Sequence, residues 1–274
     1  MERFIAIAAV GAAAGFLGSM VGLGGGIILI PLLTVALGVP IHHAITAGLV
    51  AVIANSSMAS SGNVRDQVTN VRLGMTLETA TTMGAVAGGT LAAHLDRSAL
   101  SAVFAVFLVL NAAYLVLRPA PKPADPAGGA GLGLLGGRYR DVSHGHDVAY
   151  RVSHVPAGLA VSAVAGGVSG LLGIGGGPIK VPMMTGLMGV PIKAAAATSN
   201  FMIGVTACAS AALYYRRGLI SPAVAVPAAL GASLGACWGA KLAARAKGAH
   251  LEWLLAAILT ALAFKMAHTV WSGS

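Results

Sequence analysis

Apolar runs long enough to cross a bilayer follow one another along almost the whole chain, at 4–20, 43–62, 73–95, 99–117, 155–172, 194–215, 222–244 and 252–270. About 20 such residues span the hydrocarbon core at 1.5 Å of rise each. No other feature constrains the fold as strongly, because lipid offers no partner to a backbone N–H or C=O and the segments must satisfy their own. The expected class is all-α, a polytopic membrane protein with about eight transmembrane helices. Composition agrees: of 274 residues, 57% are hydrophobic and 9% charged, where a soluble domain carries roughly a quarter charged.

Two of these runs end in the same unusual way. Gly22-Leu-Gly-Gly-Gly-Ile-Ile-Leu-Ile-Pro31 returns 151 residues later as Gly173-Ile-Gly-Gly-Gly-Pro-Ile-Lys-Val-Pro182, and Gly38-Val-Pro40 returns as Gly189-Val-Pro191. Each interior glycine costs about 1 kcal/mol relative to alanine and an interior proline about 3. The glycines therefore break the helices, and short apolar helices are expected to follow at 27–37 and 179–187. With the later runs in matching order, the chain divides into an N-terminal membrane repeat at 1–117, a linker at 118–154 and a C-terminal membrane repeat at 155–274. Each repeat holds four helices, the first broken by the glycine motif. The Arg3-led apolar start imitates a signal peptide, but its counterpart at 155–172 lies mid-chain, so it reads as the first element of a repeated unit.

The net charge of +9 sits mainly in short connections, which points to membrane orientation and not to nucleic acid. Over eight simple crossings, eleven basic residues gather on one side and five on the other, which puts both termini and the linker in the cytoplasm. The halves disagree, however: the first favours the loop at Arg65 and the second the loop at Lys241. Inverted repeats would produce that disagreement if each glycine stretch added a turn, so parallel and inverted topologies both stay open. Cys208 and Cys237 match no redox or metal spacing and read as small buried residues at helix contacts. The proline- and glycine-rich linker reads as solvent-exposed; its His144, His146 and His154 lack companion ligands, so no metal site and no cofactor is expected.

A broken helix inside a membrane must face protein or a water-filled cavity. Its new amino end presents free N–H groups and about half a positive charge, which suits an anion. The candidate binding residues are therefore Gly24, Gly25, Gly26 and Ile27 in the first copy and Gly175, Gly176 and Gly177 in the second. Lys180 follows the second break, where Leu29 holds the matching place in the first. A lysine at that depth costs about 2.5–3.5 kcal/mol on insertion scales, so it either holds a substrate's charge or pairs with Glu78. Glu78 is also the candidate for a coupling proton. Thr198, Ser199 and Asn200 open the sixth span and Thr46 stands near the start of the second; their polar groups can orient an oxyanion, or cap and cross-link helices. The glycines are not a nucleotide loop, since Ile27 and Pro178 stand where a dinucleotide fingerprint needs glycine and no Gly-Lys-Ser/Thr follows. No paired carboxylates or nucleophile–base set mark an enzyme.

At these residues the sequence resembles the TauE/SafE sulfite exporter family, also described as a sulfur-anion or organosulfonate permease family. The doubled Gly-x-Gly-Gly-Gly with Pro31 and Pro182, the Thr198-Ser199 pair, Tyr214-Tyr-Arg-Arg-Gly218 and the small-residue run at 231–242 carry the resemblance. It covers nearly everything except the linker. It implies a multi-pass secondary transporter of the bacterial inner membrane that exports small sulfur-containing anions such as sulfite, sulfoacetate or related organosulfonates, without ATPase parts. The anion is expected between the two broken helices near the membrane midplane, with alternating access. Uptake of another small anion, or a non-transporting scaffold or sensor, are the alternatives. The expected partners are the anion and the lipid bilayer; the uniformly apolar outer faces suit lipid or a second copy in a homodimer alike.

Overall fold

The structure is a computed structural model that describes residues 1–21, 24–92, 94–117, 133–141, 146–243, 257 and 259–265. In chain order it holds α1 (Glu2–Val21), α2 (Gly26–Leu37), α3 (Ile41–Arg65), α4 (Val71–Ala92), α5 (Arg97–Leu117), β1 (Gly137–Asp141), β2 (His146–Tyr150), α6 (Val155–Leu172), α7 (Gly177–Gly186), α8 (Ile192–Arg216) and α9 (Pro222–Ala243). Residues 259–265 are also helical; most of the expected last span at 252–270, together with Gly22 and Leu23, lies outside the described residues. Among the described residues six helices, α1, α3, α5, α6, α8 and α9, are long and apolar enough to cross a membrane. α4 has the length, with 22 residues, but carries Arg72, Glu78 and several threonines. The protein is an all-α, multi-pass membrane protein.

Small residues set how the helices pair. Gly11 and Gly15 of α1 meet the backbone of α9 at Ala228 and Ala232, while Gly231, Gly235 and Gly239 meet α1 at Ala8, Ala12 and Phe16. Residue numbers rise together along this contact, so α1 and α9 run parallel. α4 and α6 pair alike, Gly84 and Gly88 on Ala163 and Gly167, Gly166 and Gly170 on Thr81 and Ala85. A Cβ at these glycines would enter the neighbouring backbone, which is why the close approach requires them. The first helix of each sequence half thus packs on the third long helix of the other.

The glycine stretches do more than interrupt a helix: they reverse it. Met188, just beyond α7, packs on Gly158 near the start of α6, and its carbonyl accepts the Ser153 N–H at 3.1 Å. α7 therefore runs back along α6. α2 leaves from Gly25, which abuts Ala14 and Gly18 of α1, and runs antiparallel to α3, with Gly26 on Val52 and Ile30 on Gly48. It ends where α3 begins, and there His43 and Thr46 both reach the carbonyl of Leu219 ahead of α9. That is the face on which α1 starts. α4, by contrast, starts beside the start of α8, where the Asn70 N–H donates to Thr198 Oγ1 at 3.0 Å.

Following these directions, α1 and α6 start on opposite faces. The N-terminus and the start of α6 therefore lie at opposite faces of the bundle, not together as the count of simple crossings expects. The count failed because each glycine stretch sends the chain back once more.

The linker is also not uniformly exposed. β1 and β2 form an antiparallel hairpin whose buried Tyr139 and Tyr150 meet edge to face at 6.4 Å. Asn70 Nδ2 ties it to the start of α4, donating to Leu135 O at 2.8 Å and to the Tyr150 hydroxyl at 3.1 Å. Residues 118–132 and 142–145, with His144, lie outside the described residues. The two cysteines differ from the expectation of burial: Cys208 is exposed and Cys237 half-buried.

Candidate functional site

Both glycine stretches adopt the same backbone. Gly24 and Gly25 have φ of 76° and 77°, Gly175 and Gly176 of 79° and 76°, a left-handed region that side chains enter at a cost. Gly25 and Gly176 then act as helix N-caps, their carbonyls accepting the N–H groups of Ile28 and Leu29, and of Ile179 and Lys180. Pro178 fits just inside the second helix, where its missing N–H leaves nothing unsatisfied.

The fold brings the two turns together. Val52 of α3 and Ile203 of α8 fill the space between them: a Cβ on Gly24 would lie 3.1 Å from Ile203 Cγ2 and 3.7 Å from Val52 Cγ1, and one on Gly175 would meet the same two side chains. Gly26 faces the Gly173 carbonyl and Ile174. Val52 and Ile203 are themselves 151 residues apart, the spacing of the glycine copies. Both are fully buried.

The surroundings of the turns are not alike. At the first, Asn55 Nδ2 donates to Gly24 O at 2.9 Å, while its Oδ1 is buried without a partner. At the second, Lys180 is 0% exposed and its Nζ lies 3.2 Å from Glu78 Oε2 and 2.8 Å from Thr206 Oγ1. Thr206 in turn donates to Glu78 Oε1 at 2.5 Å. Of the two sequence readings of Lys180, the pair with Glu78 is the one present. A lysine ammonium has three donors, so one is left over. Glu78 also lines a cleft of about 620 Å³ beside α4, together with Met75, Thr82, Met83 and Val205.

The remaining candidates sit farther out. Thr46 donates to Leu219 O at 3.2 Å, and Thr198 accepts from Asn70; each ties its own helix to the loop ahead of a helix from the other half. They stand six and five residues before Val52 and Ile203, roughly 8–9 Å along the helix. The Asn200 carbonyl accepts the Ser56 hydroxyl, and the Ser199 hydroxyl is buried without a partner. Sequence reasoning missed Val52, Ile203, Thr206 and Ser169. The 151-residue spacing could have found the first two, but nothing local marks a valine or isoleucine in an apolar helix.

The family model described as "Sulfite exporter TauE/SafE" matches residues 7–266. The chain belongs to that family. TauE/SafE proteins transport and do not catalyse, and among the described residues no three His, Cys, Asp or Glu gather as metal ligands. Two curated relatives align along most of their length. "Probable membrane transporter protein YunE" of Bacillus subtilis is 27% identical over 87% of this chain and 88% of its own. "Probable membrane transporter protein MJ0441" of Methanocaldococcus jannaschii is 25% identical over 91% and 90%. No solved structure matches. This TauE/SafE chain is a membrane transporter.

Proposed function

We propose that the protein is a secondary carrier that exports small sulfur-containing anions, such as sulfite, sulfoacetate or related organosulfonates, across a bacterial inner membrane. The observation that carries this reading is the meeting of two glycine-capped helix ends, α2 and α7, on either side of Val52 and Ile203. Each end offers backbone N–H groups and about half a positive charge, and both turns are inside the membrane-spanning bundle. That arrangement suits a compact oxyanion, and the family description supplies the sulfur. The anion binds near the midplane at Gly24, Gly25, Gly26, Ile27, Gly175, Gly176 and Gly177, with Lys180 as the cation and Glu78 as the carrier of a coupling proton. Thr46, Thr198, Ser199 and Asn200 complete the proposed set of substrate-binding residues.

In this reading the two sequence halves are inverted repeats, and alternating access moves one against the other. The linker face is cytoplasmic, since it carries Arg65, Arg72, Arg138, Arg151 and Lys193. Single cysteines at Glu2 and Arg138 test the topology: a membrane-impermeant thiol reagent should label only Glu2→Cys in intact cells. Labelling of both, or of Arg138→Cys alone, would overturn it.

Flux of sulfite, sulfoacetate and sulfate in proteoliposomes tests the function, with Gly176→Leu as the site variant and monodisperse elution as its folding control. If no sulfur anion moves under any imposed proton gradient, the substrate assignment fails. Unchanged flux in Gly176→Leu would remove the site from the glycine turns.

A further inference from the structure

The second glycine turn carries groups that the first lacks. The N–H groups of Gly175 and Gly176, like those of Gly24 and Gly25 at the first turn, donate to no backbone carbonyl among the described residues; what differs is the side chains around them. Ser169 of α6 is fully buried and its hydroxyl has no partner. A Cβ on Gly176 would lie 3.5 Å from Ser169 Cβ and 3.3 Å from Lys180 Cε, so the serine and the lysine flank one glycine. In the first half the matching positions, 151 residues earlier, are Gly18 and Leu29. Gly18 has no room for a side chain, because the backbone of Gly25 abuts it. The first turn therefore has neither hydroxyl nor cation.

We infer that the transported anion seats on the second turn alone, its oxygens taking the N–H groups of Gly175–Gly177, the hydroxyl of Ser169 and the ammonium of Lys180. This rests on the carrier reading above and narrows its site from both turns to one: the first turn, with Gly24, Gly25, Gly26 and Ile27, is then a structural mate that holds Val52 and Ile203 in place. Lys180 reaches the anion by leaving Glu78. A bare carboxylate inside the bundle is costly, so Glu78 takes up one proton as the anion binds and gives it back as the anion leaves. Charge balances: a lysine–carboxylate pair, an anion and a proton become a lysine–anion pair and a carboxylic acid. Transport is then electroneutral for a monovalent anion, and the anion and proton gradients together set the direction.

Lys180 of α7 is the charged group that meets Glu78. α6 carries no titratable side chain, and α8 meets Glu78 with the hydroxyl of Thr206, Cys208 being exposed.

The experiment measures half-saturating sulfite in proteoliposomes and, separately, the anion-dependent rise of Tm in detergent with sulfite, sulfate, acetate and chloride. Ser169→Ala should raise half-saturation about tenfold, the loss of one hydrogen bond to a charge, while the maximal rate stays within a few-fold. Ser162→Ala, which removes another buried α6 hydroxyl, should stay within about twofold. Glu78→Gln should tighten binding and remove its pH dependence. An Asn55→Ala effect as large as that of Ser169→Ala would put the anion between both turns and overturn the inference. So would a Ser169→Ala protein that binds like wild type. If wild type moves no sulfur anion, the carrier reading fails. The Tm series still decides the site, upheld by any anion that stabilises wild type and not Ser169→Ala and refuted if none does.

Discussion

The two glycine turns share a backbone and differ in almost everything placed around it. φ values agree within a few degrees and both turns rest on Val52 and Ile203. Around the first, the contacts are an asparagine amide on Gly24 O and the bare backbone of Gly18. Around the second stand a buried ion pair, Thr206 and an unpartnered serine. Duplication supplied the geometry twice, since glycine is what that geometry needs. Charge was added to one copy only. A second buried ion pair would bring its own desolvation cost of several kcal/mol per ion, and the carrier chemistry proposed here needs one.

Variants can break or sharpen this contrast. The largest effect should come from the ion pair. Lys180→Ala or Glu78→Ala alone should lower stability by about 3–5 kcal/mol, because each leaves an uncompensated buried charge. Replacing both together, Lys180→Met with Glu78→Leu, should recover most of the loss in thermal unfolding. Additive losses would mean that the two residues act independently. Next come the glycines. Both Gly25→Ala and Gly176→Ala place a side chain at positive φ, for about 1–2 kcal/mol. At Gly25 the new Cβ also presses on Ala14 O at 2.8 Å, against 3.2 Å to Ala165 O at Gly176. Gly25→Ala should therefore cost about 1 kcal/mol more; equal midpoint shifts would make the turns equivalent.

Smaller still is Asn55→Ala, which removes the bond to Gly24 O at 2.9 Å for about 0.5–1.5 kcal/mol. Faster amide exchange confined to residues near the first turn would accompany it. Ser169→Ala should be near neutral for stability, since the hydroxyl has no partner to lose. A loss above about 1 kcal/mol would show that the hydroxyl is already bonded, and the anion seat proposed at the second turn would go with it.

Much of this was legible before any coordinates. Apolar length announced the long helices, and their bounds fell within a few residues of expectation because proline and left-handed glycine stop a helix locally, as at Gly38 and Pro40. The glycine copies, their prolines and the single lysine were visible as spelling. The pairing of Lys180 with Glu78, 102 residues away, could be named as an option, because a buried charge has few partners to choose from. Ser169, Val52 and Ile203 could not be picked out. Serine, valine and isoleucine are ordinary in a membrane helix, and only their neighbours give them a part.

By itself, then, the sequence determined the class, the family, the order of long and short helices and the place of each break. Those are local properties: hydropathy over a helix length, a missing Cβ, a missing N–H. Tertiary structure decided which way the chain leaves each break. A left-handed glycine pair lets a helix continue or turn back, and both short helices are apolar enough for either. The contacts of Met188 with Gly158 and of Gly26 with Val52 chose reversal, and with it the opposite faces of the N-terminus and the linker. They also gave the one lysine its partner, since Glu78 reaches Lys180 only because α4 of one half packs against α6 of the other.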